Sequence, residues 1–304
     1  MFIGSAENTG TIDSAGPTAS PPASGRQIVR RRFQLRPSRH DVLIRMAQVL
    51  VIVGILVFWQ LLSGNPTRGT GVIDEFFFGK PSKIWNALVL WSQDGTIVRA
   101  AWVTLQETLI GFILGSVLGM VVGFGLGVTR TVSAIFSPVV YALYSVPRLA
   151  LVPMFILWFG LGISSKIALV TLLVFFLTFF NTYAGAREVD QELISVSRLM
   201  RASRWQIVQK VIFPSAMVWV ALGLQISVPY AFVGAIVGEI IAGNEGLGQL
   251  ITRSSNEFDP NGMFAAIAVA VVLSILLNAI VGLGTRYMLR WQTSSGNGGG
   301  RAAL

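Results

Sequence analysis

Long apolar segments separated by short polar ones dominate the chain after its N-terminal region. About 20 consecutive apolar residues are enough to cross a bilayer as a helix. A window of that length predicts six membrane spans, at residues 44–62, 104–128, 134–158, 165–185, 213–242 and 263–288. The pattern therefore predicts an all-α membrane protein with a transmembrane domain over 41–291. Residues 1–40 and 292–304 are expected to be disordered tails, the first of them basic.

One long polar and charged stretch lies outside the tails, at 187–214, between the fourth and fifth predicted spans. Asp190 is a suitable N-cap for a first short helix. Ser203 and Gln206 have the Ser-x-x-Gln spacing of a capping box, which predicts the start of a second helix. We expect two short helices with a tight turn near 201–203, the second ending at Pro214. The hairpin could meet a partner protein or lie on the membrane surface.

Charge and composition narrow the class of protein. Only 12% of the 304 residues are charged, against about 25% in soluble domains. Sixteen basic residues fall on the side of the predicted termini and six on the opposite side, which predicts cytoplasmic termini and a cytoplasmic polar loop. The charges follow membrane sidedness, so nucleic acid is not an expected partner. The chain has no cysteine and one histidine, which argues against a metal site.

Glycines form a regular series in the second predicted span. They recur at every fourth position and so lie on one side of the helix. The five are Gly111, Gly115, Gly119, Gly123 and Gly127. A ridge without side chains allows another helix to approach closely, which predicts tight packing.

The third predicted span contains three prolines, Pro138, Pro147 and Pro153, with Arg148 beside the middle one. A charged residue inside a membrane is costly and usually faces a partner or a water-filled cavity. Arg148 could therefore pair with a carbonyl group or meet an anionic substrate in a pathway.

Glu239, near the outer end of the fifth span, leaves a similar choice open. It could pair with a backbone donor or an outer arginine. It could instead shape an outer gate together with the turn that contains Gly243, Gly246 and Gly248. Glu107 is expected to form a hydrogen bond between helices.

Several segments resemble a known family in the right order. The loop from Asn181 to Pro214 resembles the EAA loop of binding-protein-dependent ABC importer permeases, and most closely the nitrate/sulfonate/taurine type. Residues 78–82, 146–162 and 238–248 resemble the outer segment, the third-span signature and the end of the fifth span of that group. The resemblance covers about residues 76–291.

The resemblance implies a permease subunit in the bacterial cytoplasmic membrane. It would form the translocation pathway for a small solute, such as a sulfonate, nitrate or a thiamine precursor. The implied partners are a second copy of the chain, a cytoplasmic ATPase dimer and an extracytoplasmic binding protein. The chain itself would bind no cofactor and would not be an enzyme. ATP and Mg²⁺ would be used by the ATPase, and the chain lacks a phosphate-binding Gly-x-x-x-x-Gly-Lys-Ser/Thr motif.

The resemblance also assigns residues to roles. The ATPase-coupling loop would include Glu192, Ser195, Arg198, Leu199, Met200, Arg201, Ala202, Ser203, Arg204, Trp205 and Pro214. The pathway or its gate would include Pro147, Arg148, Glu239, Gly243, Gly246 and Gly248.

Two positions depart from the family pattern. Residues 195–197 replace its Glu-Ala-Ala, and Arg201 stands where the family has a turn glycine. A left-handed arginine costs on the order of 1 kcal/mol. A carrier or channel that works without an ATPase is the main alternative. An intramembrane hydrolase would need a serine with histidine or lysine, or paired aspartates, within the spans. The predicted spans contain no histidine or aspartate, and their one lysine, Lys166, lies at the edge of its span.

Overall fold

A computed structural model describes residues 39–64 and 71–290. Both predicted tails lie outside the described residues, except for residues 39 and 40 of the N-terminal tail, which are helical. The elements in chain order are α1 (Arg39–Leu62), strands β1 (Ser63–Gly64) and β2 (Ile73–Asp74), α2 (Glu75–Phe78), α3 (Pro81–Gln93), α4 (Thr96–Val128), α5 (Arg130–Tyr144), a 3₁₀ turn (Arg148–Leu151), α6 (Val152–Phe159), α7 (Ile163–Arg187), α8 (Gln191–Leu199), α9 (Arg204–Ile207), a π turn (Val208–Ile212), α10 (Phe213–Ala242), α11 (Leu247–Asn256) and α12 (Pro260–Met288). The two strands pair in parallel.

The described residues divide into two units, with the boundary between Val51 and Ile52, inside α1. In the first unit, the described side chains from Leu43 to Val51 are all exposed. In the second unit, the end of α1 is fixed to α3, because Gln60 exchanges two hydrogen bonds with the backbone N–H and hydroxyl of Ser82.

Five of the described helices are long and apolar enough to cross a membrane. They are Leu43–Leu62, Thr96–Val128, Ile163–Arg187, Arg204–Ala242 and Pro260–Met288. The pair α5 and α6 supplies a sixth span if its two bent halves count as one. The all-α membrane architecture predicted from the sequence is confirmed. The second span begins at Thr96, about two turns earlier than predicted.

The third predicted span is not a continuous helix. Its two halves meet at an angle of 77°, with the break between Tyr144 and Arg148. Pro147 causes the break, because it lacks an N–H and disfavours helical geometry at the residue before it. Pro138 stays inside α5. Pro153 lies in the first turn of α6, where the missing N–H costs little.

The core of the bundle is formed where α4, α7 and α10 pack together. The glycine ridge of α4 lies directly against α7. A Cβ added at Gly115 would lie 2.6 Å from the carbonyl oxygen of Thr171, and one at Gly119 would lie 2.7 Å from that of Phe175. Phe112 and Val174 belong to the buried cluster beside this contact. The predicted tight packing is thus present, and it brings backbone against backbone.

An amphipathic helix, α3, precedes the second span. Ile84 is buried, and Trp91 packs against the cluster around Leu247 and Ala266. Trp85 points away from this face and is exposed. One face of α3 therefore belongs to the bundle.

Glycine-to-alanine substitutions in α4 test whether the ridge sets the spacing of α4 and α7. We expect Gly119→Ala to lower the thermal unfolding midpoint in detergent, because overpacking costs about 1–3 kcal/mol. Gly125→Ala is the matched control, since nothing lies within 4 Å of its added Cβ. We expect this control to leave the midpoint unchanged or to raise it slightly. Equal midpoints for the two variants would contradict the close contact.

Candidate functional site

The segment between α7 and α10 folds as the predicted helical hairpin. The carboxylate of Asp190 accepts a hydrogen bond from the N–H of Glu192 at 2.8 Å, which caps α8. Ser203 and Gln206 form both hydrogen bonds of a capping box at the start of α9. Local capping therefore decides where each short helix of the hairpin begins.

The turn of the hairpin has left-handed backbone geometry at Arg201, with φ of 55°. Its N–H bonds to the carbonyl of Arg198, and the N–H of Ala202 bonds to that of Ser197. These bonds close the C-terminus of α8 and hold Arg201 at its position. The geometry is the one that the family's turn glycine would adopt without strain.

The hairpin has a small hydrophobic core of its own. Val189, Ile194 and Ile207 are buried together, with Ala202 and Val211 partly buried beside them. Because side chains from both arms meet in this core, the hairpin is a packed unit.

The apolar residues at the tip face outward. Leu199 is 83% exposed, Met200 78% and Trp205 66%. Leu193 and Val196 continue this exposed stripe along α8. Large apolar side chains that stay exposed beside a formed core are typical of a contact surface.

The second arm does not end at Pro214, which corrects the sequence prediction. A π turn at 208–212 joins α9 to α10, and Pro214 lies in the first turn of α10. A π turn changes the hydrogen-bond register, so the proline's missing N–H is accommodated without ending the helix. Residues 204–242 form one candidate membrane span. The hairpin is therefore joined directly to α10.

At the opposite end of the bundle, Glu239 holds the turn that follows α10. Its carboxylate accepts hydrogen bonds from the hydroxyl of Thr104 and from the N–H of Gly248, both at 2.6 Å. The hydroxyl of Thr104 also accepts from the N–H of Leu247 at 2.9 Å. Glu239 thus pairs with a backbone donor, as the first alternative predicted, and that donor lies next to the turn that contains Gly243 and Gly246.

Gly246 and Gly248 make this arrangement possible. Gly246 has φ of 105°, and a Cβ there would fall on the Glu239 carboxylate. A Cβ at Gly248 would lie 2.5 Å from the carbonyl oxygen of Ile236. Gly243 ends α10, and its N–H bonds to the carbonyl of Glu239. The glycines therefore let the turn fold over the carboxylate.

A second buried carboxylate lies in the same cluster. Glu107 of α4 is paired with Lys166 of α7, whose Nζ lies 3.3 Å from Glu107 Oε1. The contact is an ion pair without hydrogen-bond geometry, and both side chains are buried. Burying a single charge is costly, and the attraction between Glu107 and Lys166 offsets part of the desolvation cost of both. The predicted interhelical partner of Glu107 is thus a lysine, which sequence reasoning missed together with Thr104. Only their polarity in otherwise apolar segments could have drawn attention to them.

Arg148 lies at the break between α5 and α6, away from both clusters. Its guanidinium donates to the carbonyl of Tyr144 at 3.1 Å and lies 4.2 Å from the centre of that ring. The ring of Phe176 is 5.1 Å away. Pro147, which precedes it, forms the break itself. A carbonyl and two aromatic faces thus hold this cation, as the first of the two alternatives predicted.

Comparison with known proteins now assigns the family. The model of the family described as binding-protein-dependent transport system inner membrane component matches residues 115–291. The chain belongs to this family.

Relatives along most of the chain agree with this assignment. The riboflavin transport system permease protein of Chloroflexus aurantiacus is 35% identical over 247 residues, 79% of this chain and 88% of that protein. The putative aliphatic sulfonates transport permease protein of Bacillus subtilis is 31% identical over 252 residues, 82% and 88% of the two chains. An inward-facing structure of the MetNI methionine ABC transporter aligns with a TM-score of 0.52 at 25% identity, covering 64% of this chain and 95% of that one. The permease is thus similar to importer permeases in both sequence and fold.

Breaking the buried ion pair tests the cluster of Thr104, Glu107, Lys166 and Glu239, which we call the outer cluster after its predicted side of the membrane. We expect Lys166→Met to lower the thermal unfolding midpoint strongly, because an unpaired buried charge costs about 3–5 kcal/mol. The double variant Lys166→Met/Glu107→Gln is expected to recover most of that loss, since it removes both charges.

The control for this variant is Lys83→Met. It removes a lysine paired with Glu75, and the side chain of that lysine is 58% exposed. An exposed pair contributes about 0–1 kcal/mol, so its midpoint is expected to change little. A double variant no more stable than Lys166→Met would show that Glu107 and Lys166 do not depend on each other.

Proposed function

We propose that this permease forms one half of the translocation pathway of an ABC importer, in which the hairpin 187–214 couples it to a separate cytoplasmic ATPase. A second copy of the chain would complete the pathway, and a binding protein would deliver the solute from the opposite side. The exposed tip of the hairpin, formed by Leu199, Met200 and Trp205, carries this proposal. The family assignment supports it.

The hairpin is suited to transmit force because it is packed and joined to two spans. Its core around Ile194 and Ile207 prevents the arms from moving separately. α7 precedes it, and α9 continues into α10 through the π turn. Displacement of the tip by an ATPase would therefore move the inner ends of α7 and α10 together.

The displacement would reach the outer cluster through α7 and α10. Lys166 lies near the start of α7 and Glu239 near the end of α10. Each is therefore at the end of its helix that is farther from the hairpin. Thr104 connects Glu239 to α4 and to the turn at 247–248, and Glu107 of α4 pairs with Lys166. We propose that this turn contributes to the outer gate and that the cluster keeps it attached to the moving helices.

For the solute, we propose a small polar molecule, most simply an organic anion such as a sulfonate. Similar permeases carry the names of riboflavin, aliphatic sulfonates and taurine. Arg148 favours an anion, because among the described residues a carbonyl and aromatic rings hold its guanidinium, and no carboxylate pairs with it. The ligand retained by the purified cognate binding protein tests this assignment, and a cationic ligand would reject it.

Single cysteines test the proposed sidedness of the hairpin. The chain has no cysteine, so each variant carries one label site. We expect Ser195→Cys to react with a membrane-impermeant maleimide only in inside-out vesicles. Ser92→Cys, in α3, is expected to react only in right-side-out vesicles or intact cells. The reverse pattern would place the hairpin outside the cell and remove its proposed role.

Substitutions at Arg201 test coupling. We propose that the ATPase surface facing this basic tip is acidic. We therefore expect Arg201→Glu to reduce solute uptake at least about tenfold, because a like-charge contact at an interface costs several kcal/mol. Uptake and ATP hydrolysis would be measured in liposomes with the ATPase and the loaded binding protein. Arg201→Gly removes the charge but suits the left-handed turn, so it separates charge from backbone strain.

Lys210→Glu is the control, since it reverses an exposed charge on the same segment away from the tip. It is expected to preserve most of the uptake. Normal uptake by the Arg201→Glu variant would argue against docking through the tip, and uptake without any ATPase would favour a carrier.

A further inference from the structure

A basic cleft lies behind the hairpin, on the side that faces the membrane spans. It measures about 780 Å³ and is bounded by the α4–α5 turn, the end of α7 and the inner faces of α8 and α9. Three arginines line it, Arg187, Arg198 and Arg204, one from each of α7, α8 and α9. None of the described residues lining the cleft is acidic. Three positive charges converging without a carboxylate indicate a site for an anion.

The arginines retain donors that could serve such an anion. Arg187 donates through Nη1 to the hydroxyls of Ser133 and Tyr183, at 2.6 and 2.9 Å. Those bonds orient its guanidinium, and a guanidinium has five N–H donors in all. Within the described part of the chain, no carboxylate forms an ion pair with Arg198 or Arg204. Both are exposed, so their donors can reach a ligand.

The start of α5 adds charge of the same sign. Thr129 and Thr131 line the cleft, and Thr129 is the N-cap of α5 without a side-chain capping bond. The first N–H groups of a helix carry partial positive charge when no side chain caps them. This end of α5 therefore reinforces the attraction of the arginines for an anion.

Most of the remaining lining is apolar, apart from the polar side chain of Gln191, and this favours a lipid over a soluble anion. Val189, Ile194 and Ile212 form part of the wall, and the cleft opens beside the inner ends of two candidate spans, α4 and α7. An anionic headgroup with its glycerol backbone and acyl chains presents the same combination of charge and apolar surface. Basic pockets between membrane helices on the cytoplasmic side are suited to such headgroups.

We infer that this cleft binds the phosphate-bearing headgroup of an anionic phospholipid from the inner leaflet. The inference rests on the proposed function only for the cytoplasmic location of the hairpin. The lipid would fill the space between the hairpin and the spans. It would thereby help to transmit movement of the hairpin to α4 and α7.

The test measures lipid binding to the full chain in neutral detergent, without the ATPase. Phosphatidylglycerol and phosphatidylcholine with the same acyl chains are titrated separately and counted by native mass spectrometry. We expect phosphatidylglycerol to bind and phosphatidylcholine to bind much more weakly. Arg198→Gln/Arg204→Gln is expected to weaken phosphatidylglycerol binding roughly 30-fold, given the contribution of each basic residue near an anionic surface.

A matched control removes the same charge from the same segment. Arg201→Gln/Lys210→Gln alters two exposed basic residues that do not line the cleft. It is expected to bind phosphatidylglycerol like the unmodified chain. Equal weakening by both double variants would show a general charge effect and overturn the proposal. Thermal midpoints of all variants confirm that each is folded.

Two further measurements test other occupants of the cleft. If millimolar inorganic phosphate displaces phosphatidylglycerol completely, the cleft is a site for soluble phosphate and the lipid assignment is wrong. If the purified ATPase displaces it completely, the cleft belongs to the docking surface and the assignment is also wrong. Because lipid binding is measured without the ATPase, failure of the coupling proposal at Arg201 would leave this result unchanged.

Discussion

The close approach of α4 and α7 is the constraint on which the rest of the structure depends. Glycines at every fourth position of α4 bring its backbone against the backbone of α7, as at Gly115 and Gly119. Lipid offers no hydrophobic force to press two apolar helices together, so close packing of this kind provides much of the attraction. With α4 in that position, Thr104 and Glu107 lie beside α7 and α10, where the outer polar cluster forms. A wider spacing would separate Glu107 from Lys166 and leave both charges buried without partners.

α7 connects the two sites of this permease. It has 25 residues, which corresponds to about 37 Å of helix, with Lys166 near its start and Arg187 at its end. The first belongs to the outer cluster, and the second lines the basic cleft beside the hairpin. A helix packed against both α4 and α10 resists bending, so displacement at one end is carried to the other. The proposed coupling therefore requires no separate relay of side chains across the membrane.

The polar groups of the bundle are used in two contrasting ways. In the outer cluster, Glu239 bonds to Thr104 and to the backbone of the 247–248 turn, and the buried Glu107 forms an ion pair with Lys166. At the hairpin, arginines and large apolar side chains are exposed. Buried polar pairs specify one arrangement because every alternative leaves a group unpaired. Exposed groups remain available to partners, which suits the proposed binding of an ATPase and of a lipid.

Signals within single segments of the sequence determined most of the membrane spans, the glycine ridge, the cap at Asp190, the capping box at Ser203 and the turn at Arg201. A span needs about 20 consecutive residues, and each of the other features depends on residues of one helix or one turn. Only the tertiary structure decided that Glu107 pairs with Lys166, 59 positions away, or that Glu239 holds the N–H of Gly248. The sequence predicted that the second hairpin helix ends at Pro214, because proline usually interrupts a helix. The π turn at Val208–Ile212 joins α9 to α10 instead. Pro147 causes the break between α5 and α6, but packing sets its angle of 77°. Packing likewise decides the outward direction of Leu199 and Met200 and the placement of three arginines around one cleft. Spacing along the chain places residues on a helix face, whereas packing decides what that face meets.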